Sequence, residues 1–258
     1  MIVPNSDVAV ADVYRVYLAF CDLAAAQGKR DLAHQLVLCE SLSVGGEAPM
    51  VAASIASAAT LCIEPSSAAA RHGERSGAID FTVNNLDEAL RALKNEVRKG
   101  LSIAICLEGD PASILAEMVE RGVQPDVLYG GAGEGVTTFL DRGAHAVDAD
   151  VVPKLSQQRD TTWAVRDLPG KWLPLVDEIV AGCLPSEDYV RRNWLKRAPR
   201  YVGRAMRANR NLPMTAREFE RIVEVFKEEI QQARWDGIDL EFKAENWNAA
   251  FGTQKLSS

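Results

Sequence analysis

Apolar positions recur along residues 7–27 at intervals of three and four, with Val10, Val13, Tyr14, Tyr17, Leu18 and Cys21 on one side of a helix and Gly28 as its stop. From residue 35 to 152 the pattern changes. Short β-branched or apolar runs at 35–40, 60–64, 79–83, 101–107 and 126–129 are separated by helical stretches near 47–59, 85–98, 111–121 and 136–141. Strands alternating with helices predict crossover units and a mainly parallel sheet, because a parallel neighbour needs a connection long enough to return to the starting end. Capping residues support two of the helices. Asn85 opens one whose Leu86, Ala89, Leu90, Leu93 and Val97 form an apolar face, and Gly100 ends it. Asp110 precedes the first-turn Pro111 of the other, which turns Ile114, Leu115, Met118 and Val119 inward. The pattern predicts an α/β fold: a mainly parallel sheet with helices on both faces, plus helical N- and C-terminal extensions.

Beyond residue 152 the alternation fades. Pro169, Pro174 and Pro185 divide the segment into short pieces, a basic helix opens at Pro185-Ser186-Glu187-Asp188, and Pro199 interrupts it. The last clear helix starts with a capping box, Thr215 and Glu218, and carries Phe219, Ile222, Val223, Phe226 and Ile230 along one stripe. That stripe either docks on the parent domain, the ordinary fate of an aliphatic face, or forms a subunit interface. The organisation expected is an N-terminal helical segment at 1–34, an α/β core at 35–152 and a mainly helical extension at 153–258 packed on that core.

Composition narrows the class of protein. With 47% hydrophobic and 25% charged residues among 258, the chain is neither disordered nor a disulfide-dense miniprotein. A formal charge of −7 argues against wholesale coating of nucleic acid, which needs a concentrated positive field. Cys21, Cys39, Cys62, Cys106 and Cys183 are odd in number and mostly set in apolar runs, as reduced core thiols of a cytoplasmic protein would be. None pairs at Cys-x-x-Cys spacing, and His34, His72 and His145 stand far apart, so no metal site is expected. Asp7 and Asp12 precede the first basic residue, Arg15, unlike a secretory signal. The longest uncharged run, 48–63, falls short of the roughly 20 apolar residues that cross a bilayer, so no membrane partner is expected.

Three clusters carry candidate chemistry. The turn after the first strand runs Ser41-Leu42-Ser43-Val44-Gly45-Gly46 into an Ala-rich helix, and Glu64 ends the next strand 18 residues after Gly46. Glycines let backbone amides approach a pyrophosphate at a helix N-terminus, and an acid about 20 residues on can accept from a ribose hydroxyl. The full Gly-x-Gly-x-x-Gly spacing is absent, so a strand–turn–helix that uses its glycines only for packing fits the same residues. Gly130, Gly131, Gly133 and Gly135 follow the strand at 126–129, where a nest of amides or a simple turn can form, with Glu134 opposing an anion. Arg191, Arg192, Lys196, Arg197, Arg200, Arg204, Arg207 and Arg210 are interleaved with Trp194 and Tyr201, with no acid from 190 to 212. These can grip phosphates or form a solvated helix face that pairs with acids of the protein.

The residues Val37-Leu38-Cys39, Gly45-Gly46-Glu47-Ala48-Pro49-Met50-Val51-Ala52, Leu61-Cys62-Ile63-Glu64, Asn85-Leu86-Asp87-Glu88-Ala89-Leu90, Gly109-Asp110 and Glu117-Met118-Val119-Glu120-Arg121-Gly122-Val123-Gln124-Pro125-Asp126-Val127-Leu128 together resemble the central NAD-binding region of urocanase (urocanate hydratase). A weaker likeness continues through Tyr189-Val190-Arg191-Arg192 and Arg200-Tyr201-Val202. The resemblance implies a Rossmann-like core, NAD as cofactor and a homodimer. It also implies that Gly45, Gly46 and Glu64 face the cofactor, with Gly109 and Asp110 where the family has Gly-Asn. Earlier glycines of the family loop fall on Glu40, Leu42 and Ser43, and Tyr129-Gly130-Gly131 replaces a Thr-Asp-Gln-Thr-Ser signature. No catalytic residue is carried over.

Two functions are therefore expected. One is a urocanase-like protein binding NAD or another nucleotide or small ligand through Gly45, Gly46, Glu64, Gly109, Asp110, Gly130 and Gly131; as an enzyme it would be a urocanate hydratase-like lyase. The other is a non-catalytic relative that acts as a protein-interaction or scaffold module, or that contacts nucleic acid through residues 191–210.

Overall fold

The computed structural model describes residues 9–42, 46–130, 134–148, 158–244 and 247–252. The chain forms two compact units, Met1–Val152 and Pro153–Ser258.

The first unit is built on β1 (Leu36–Cys39), β2 (Ala59–Glu64), β3 (Phe81–Val83), β4 (Ile103–Glu108), β5 (Val127–Tyr129) and β6 (His145–Val147), in the order β3-β4-β2-β1-β5-β6. Every pairing in this sheet is parallel, as the alternation predicts. The helices are α1 (Val10–Ala26), α2 (Ala48–Ile55), α3 (Ser67–Ser76), α4 (Leu86–Lys99), α5 (Pro111–Glu120) and α6 (Glu134–Asp141). Leu38, Leu61, Ile63, Ile105 and Leu107 point to one face of the sheet, where Leu86, Ala89, Leu90 and Leu93 of α4, Leu115 and Met118 of α5 and Phe139 of α6 cover them. The opposite face carries Cys39, Cys62 and Cys106 side by side in register. All three thiols are buried; desolvation pushes Cys39 up to about 12, and contact with Cys106 together with burial pushes Cys62 up as well. Cys39 and Cys62 are thereby kept from forming reactive thiolates. The helix expected at 47–59 is shorter, because Ser57 takes φ +75° and turns the chain into β2. Helix α3 has no counterpart in the hydrophobic pattern: it buries only Ala70 and Gly73, too few to leave a stripe.

The second unit adds a sheet to the helices expected at 153–258. Beside α7 (Pro169–Cys183), α8 (Tyr189–Tyr201) and α9 (Ala216–Glu229) it holds β7 (Arg159–Val165), β8 (Asn209–Met214), β9 (Asp239–Ala244) and β10 (Trp247–Gly252), an antiparallel sheet ordered β10-β9-β7-β8. Its strands escape the apolar pattern because β8 buries Arg210 where a hydrophobe is expected and contains Pro213, which an edge strand tolerates. The prolines also act differently from expectation. Pro169 sits in the first turn of α7, where its missing N–H costs nothing, Pro174 is accommodated within the same helix, and Pro199 lies in the last turn of α8. Phe219, Ile222 and Phe226 of α9 are buried in this unit, with the Phe226 ring 5.3 Å from that of Phe242. The capping box forms as read: Thr215 Oγ1 accepts from the Glu218 amide, and Glu218 Oε2 accepts from the Thr215 amide.

Candidate functional site

In an open parallel sheet, ligands bind outside the carboxyl ends of the strands where the strand order reverses. Here the chain steps from β1 to β2 on one side, and from β5 to β6 on the other, so the reversal falls between β1 and β5. The loops that leave these two strands are the two glycine-bearing turns. Gly46 takes φ +65° and Gly130 takes φ +69°, conformations in which a Cβ is strained. Gly45 and Gly131, also expected at the site, lie outside the described residues.

Glu64 ends β2 on the cysteine-bearing face and is 3% exposed. Its Oε2 accepts from Ser41 Oγ at 2.9 Å and from the Leu42 amide at 2.9 Å, and its Oε1 accepts from the Ser66 amide at 2.9 Å. The carboxylate thus ties the β1–α2 loop to the end of β2. Gly109 adjoins it, donating its N–H to the Glu64 carbonyl at 3.1 Å, and a Cβ there would stand 2.8 Å from Ile114 Cδ1. Asp110 is the cap of α5: Oδ2 accepts from the Ser113 amide at 2.9 Å and from Ser113 Oγ at 2.7 Å, and these bonds hold its carboxyl below the usual range. The structure therefore brings Glu64 and Gly109 together, sets Gly46 and Gly130 in the two loops beside the reversal, and engages Asp110 with its own helix.

Several residues of this mouth carry no motif signal. Glu47 stands at the N-cap of α2 without capping it; its side chain is 10% exposed, and Oε1 accepts no hydrogen bond, with His72 Nε2 at 3.6 Å. Glu108, in register with Glu64 on β4, accepts from Ser67 Oγ. Ser41 does act through its hydroxyl, but toward Glu64. The spacing of Glu64 and Ser66 is the one local signal that hints at an acid turned onto its own backbone.

In the second unit the basic segment is partly consumed by the fold. Arg191 pairs with Asp188 at 2.5 Å and Glu218 at 2.5 Å, and Arg210 pairs with Asp177 at 2.8 Å while Trp163 Nε1 donates to the same carboxylate. Burial pushes Asp177 up against the pull of Arg210 and Trp163. Arg192 donates to the carbonyls of Leu184 and Pro185, closing the end of α7. Trp194 is fully buried and donates to the Asn211 carbonyl, so its ring is not offered for base stacking. No described helix is long and apolar enough to cross a membrane.

Comparison with known families finds a likeness in the first unit. Residues 13–131, from within α1 to just past β5, match the family model of the urocanase Rossmann-like domain. That stretch is similar to the urocanase Rossmann-like domain. The match covers slightly less than half of the chain and none of the second unit. In urocanases the domain is associated with NAD. The residues described here do not fit the pyrophosphate of that cofactor: a carboxylate already holds the Leu42 amide, and a second, Glu47, stands at the start of α2.

Proposed function

We propose that the urocanase-like domain holds a small ligand of nucleoside or nucleotide type at the mouth between β1 and β5, and that it does not hydrate urocanate. The observation that supports this is the coincidence of the strand-order reversal with two loops whose glycines, Gly46 and Gly130, both take positive φ. Fold alone carries no reaction.

Mass and absorbance of the purified protein will reveal a co-purified ligand, and thermal shift with adenosine, AMP, ATP, NAD and NADP tests added ones. A ligand at 100 times its Kd adds about 2.7 kcal/mol, a rise of about 5–10 °C for a chain of this size. If no compound raises Tm at millimolar concentration, this reading is lost. Loss of urocanate absorbance on incubation with the protein is expected to be nil.

A second reading has one observation in its favour. Glu64, the acid that the family resemblance assigns to the ribose, is saturated by three donors of its own chain. A relative that kept the sheet and acts through protein contacts needs no free acid there, and that reading survives a flat thermal-shift panel.

A further inference from the structure

We infer that the cleft between the edge strand β3 and helix α4 binds a free apolar amino acid as its zwitterion. This site goes beyond the ligand proposed above: it shares no residue with the β1/β5 mouth, and β4 and β2 separate it from β1. The cleft measures about 470 Å³, within the range of about 300–1,000 Å³ that small-molecule sites span. Phe81, Val83, Ala92 and Ile103 supply its apolar surface. Phe81 and Val83 alternate with Thr82 along β3 and so share one side of the sheet. Val83 joins the core with Leu86 and Leu90 of α4, whereas Phe81, at the amino end of the strand, stays 37% exposed.

The polar surface comes from α4. Glu88, Arg91, Ala92, Asn95 and Glu96 recur at intervals of three and four, a stripe beside the buried one of Leu86, Ala89, Leu90 and Leu93. Ala92 contributes only a methyl group in the middle of this stripe, where a longer side chain would fill the cleft. The charge of Glu96 is matched, because its Oε1 accepts from Lys99 Nζ at 2.9 Å and from Asn95 Nδ2 at 2.8 Å. The Glu88 carboxylate and the Arg91 guanidinium have no hydrogen bond or ion pair with any described residue, although their spacing places them side by side on the helix. An apolar floor flanked by one free carboxylate and one free guanidinium complements a molecule that carries an ammonium, a carboxylate and an apolar side chain. A ligand with one charge alone leaves Glu88 or Arg91 facing a like charge or no charge, and that difference is the source of selectivity.

Heteronuclear NMR of the full chain, titrated with L-phenylalanine, L-leucine, phenethylamine and 3-phenylpropionate, tests the inference. The two amino acids are expected to bind saturably with a Kd of about 1–10 mM and to shift the amides of residues 81–83 and 88–96. Phenethylamine and 3-phenylpropionate are expected to bind about threefold more weakly than phenylalanine, the factor of one exposed charge pair. Glu88→Gln should erase the preference for phenylalanine over 3-phenylpropionate, which lacks the ammonium, and Arg91→Gln the preference over phenethylamine, which lacks the carboxylate. Ala92→Trp fills the cleft and is expected to abolish the shifts; if it does not fold, the two exposed-site variants decide. No saturable shift up to about 20 mM, shifts confined to other residues, or analogues that bind as tightly as phenylalanine overturn the inference. So does a wild-type dimer in sedimentation velocity that Ala92→Trp dissociates, because the cleft then belongs to a second copy of the chain. Each of these outcomes is independent of the nucleoside panel at the mouth.

Discussion

Glu64 shows how one carboxylate can serve structure where an ancestral fold would use it for recognition. It is buried and bonded to Ser41, Leu42 and Ser66, so removing it leaves a hydroxyl and two amides without the acceptor they use. Glu64→Ala is expected to destabilise the first unit by about 3 kcal/mol, read as a fall in the urea midpoint at constant slope. A loss below about 1 kcal/mol would show that the loop finds other partners. Glu218 gives the corresponding test in the second unit. Burial pushes its carboxyl up, but the Arg191 guanidinium and the Thr215 amide outweigh that and hold it below the usual range. Between its folded and unfolded values the folded chain binds fewer protons, so stability rises with pH across that window. The contribution is fully present above the ordinary glutamate value of about 4.3 and is lost as pH falls through the folded one. The stability difference between wild type and Glu218→Gln is therefore expected to be largest at pH 6–7 and to shrink toward pH 3. A difference that stays constant with pH would mean that Glu218 is not held by charge.

Helix α6 meets α5 through a glycine: a Cβ on Gly135 would stand 2.8 Å from Leu115 Cβ, and Leu115 belongs to the sheet-covering core. A backbone-proximal carbon has little room to yield, so Gly135→Ala is expected to cost about 1–3 kcal/mol despite the gain in helix propensity, seen as a lower Tm. A rise in Tm would mean that the two helices separate freely. This contact was invisible in the sequence, where Gly135 reads as part of a flexible turn. The elements that were legible share a property: their signal is local. Asn85 and Asp110 cap α4 and α5 as their positions announce, and the apolar face of α4 is the one buried. The same holds for the parallel core, whose short apolar runs need no partner to be recognised. Helix α3 and the sheet of the second unit were missed because their fit is set at a distance. Arg210 can replace a hydrophobe in β8 only because Asp177, 33 residues earlier, receives its charge. At the mouth, the sequence singled out Glu64 as an acid for a ribose but could not show its partner Ser41, 23 residues away, since that contact exists only once the loop folds back.

On the scale of the whole molecule, the distribution of charge decides what large partners the chain can hold. The net charge is −7, yet the stretch from 190 to 212 has no acid. The fold spends part of that basic surplus internally: Arg191 on Asp188 and Glu218, Arg210 on Asp177, and Arg192 on two carbonyls at the end of α7. Lys196, Arg200 and Arg207 are exposed, and the guanidinium of Arg200 lies 5.3 Å from the centre of the Tyr201 ring. These three exposed cations would make about three phosphate contacts, giving a salt slope near −2 and about a 20-fold loss of affinity between 50 and 200 mM salt. Against a negative whole-molecule field this is too little to hold a single strand at micromolar concentration, and the buried Trp194 removes one of the two aromatics that would stack on bases. Fluorescence anisotropy of a labelled 20-nucleotide strand is accordingly expected to stay flat up to about 1 μM protein in 50 mM salt. Micromolar binding with a log–log salt slope steeper than −3 would require more cations than these three, and would move the centre of function from the proposed site of the first unit to the helix α8 surface of the second.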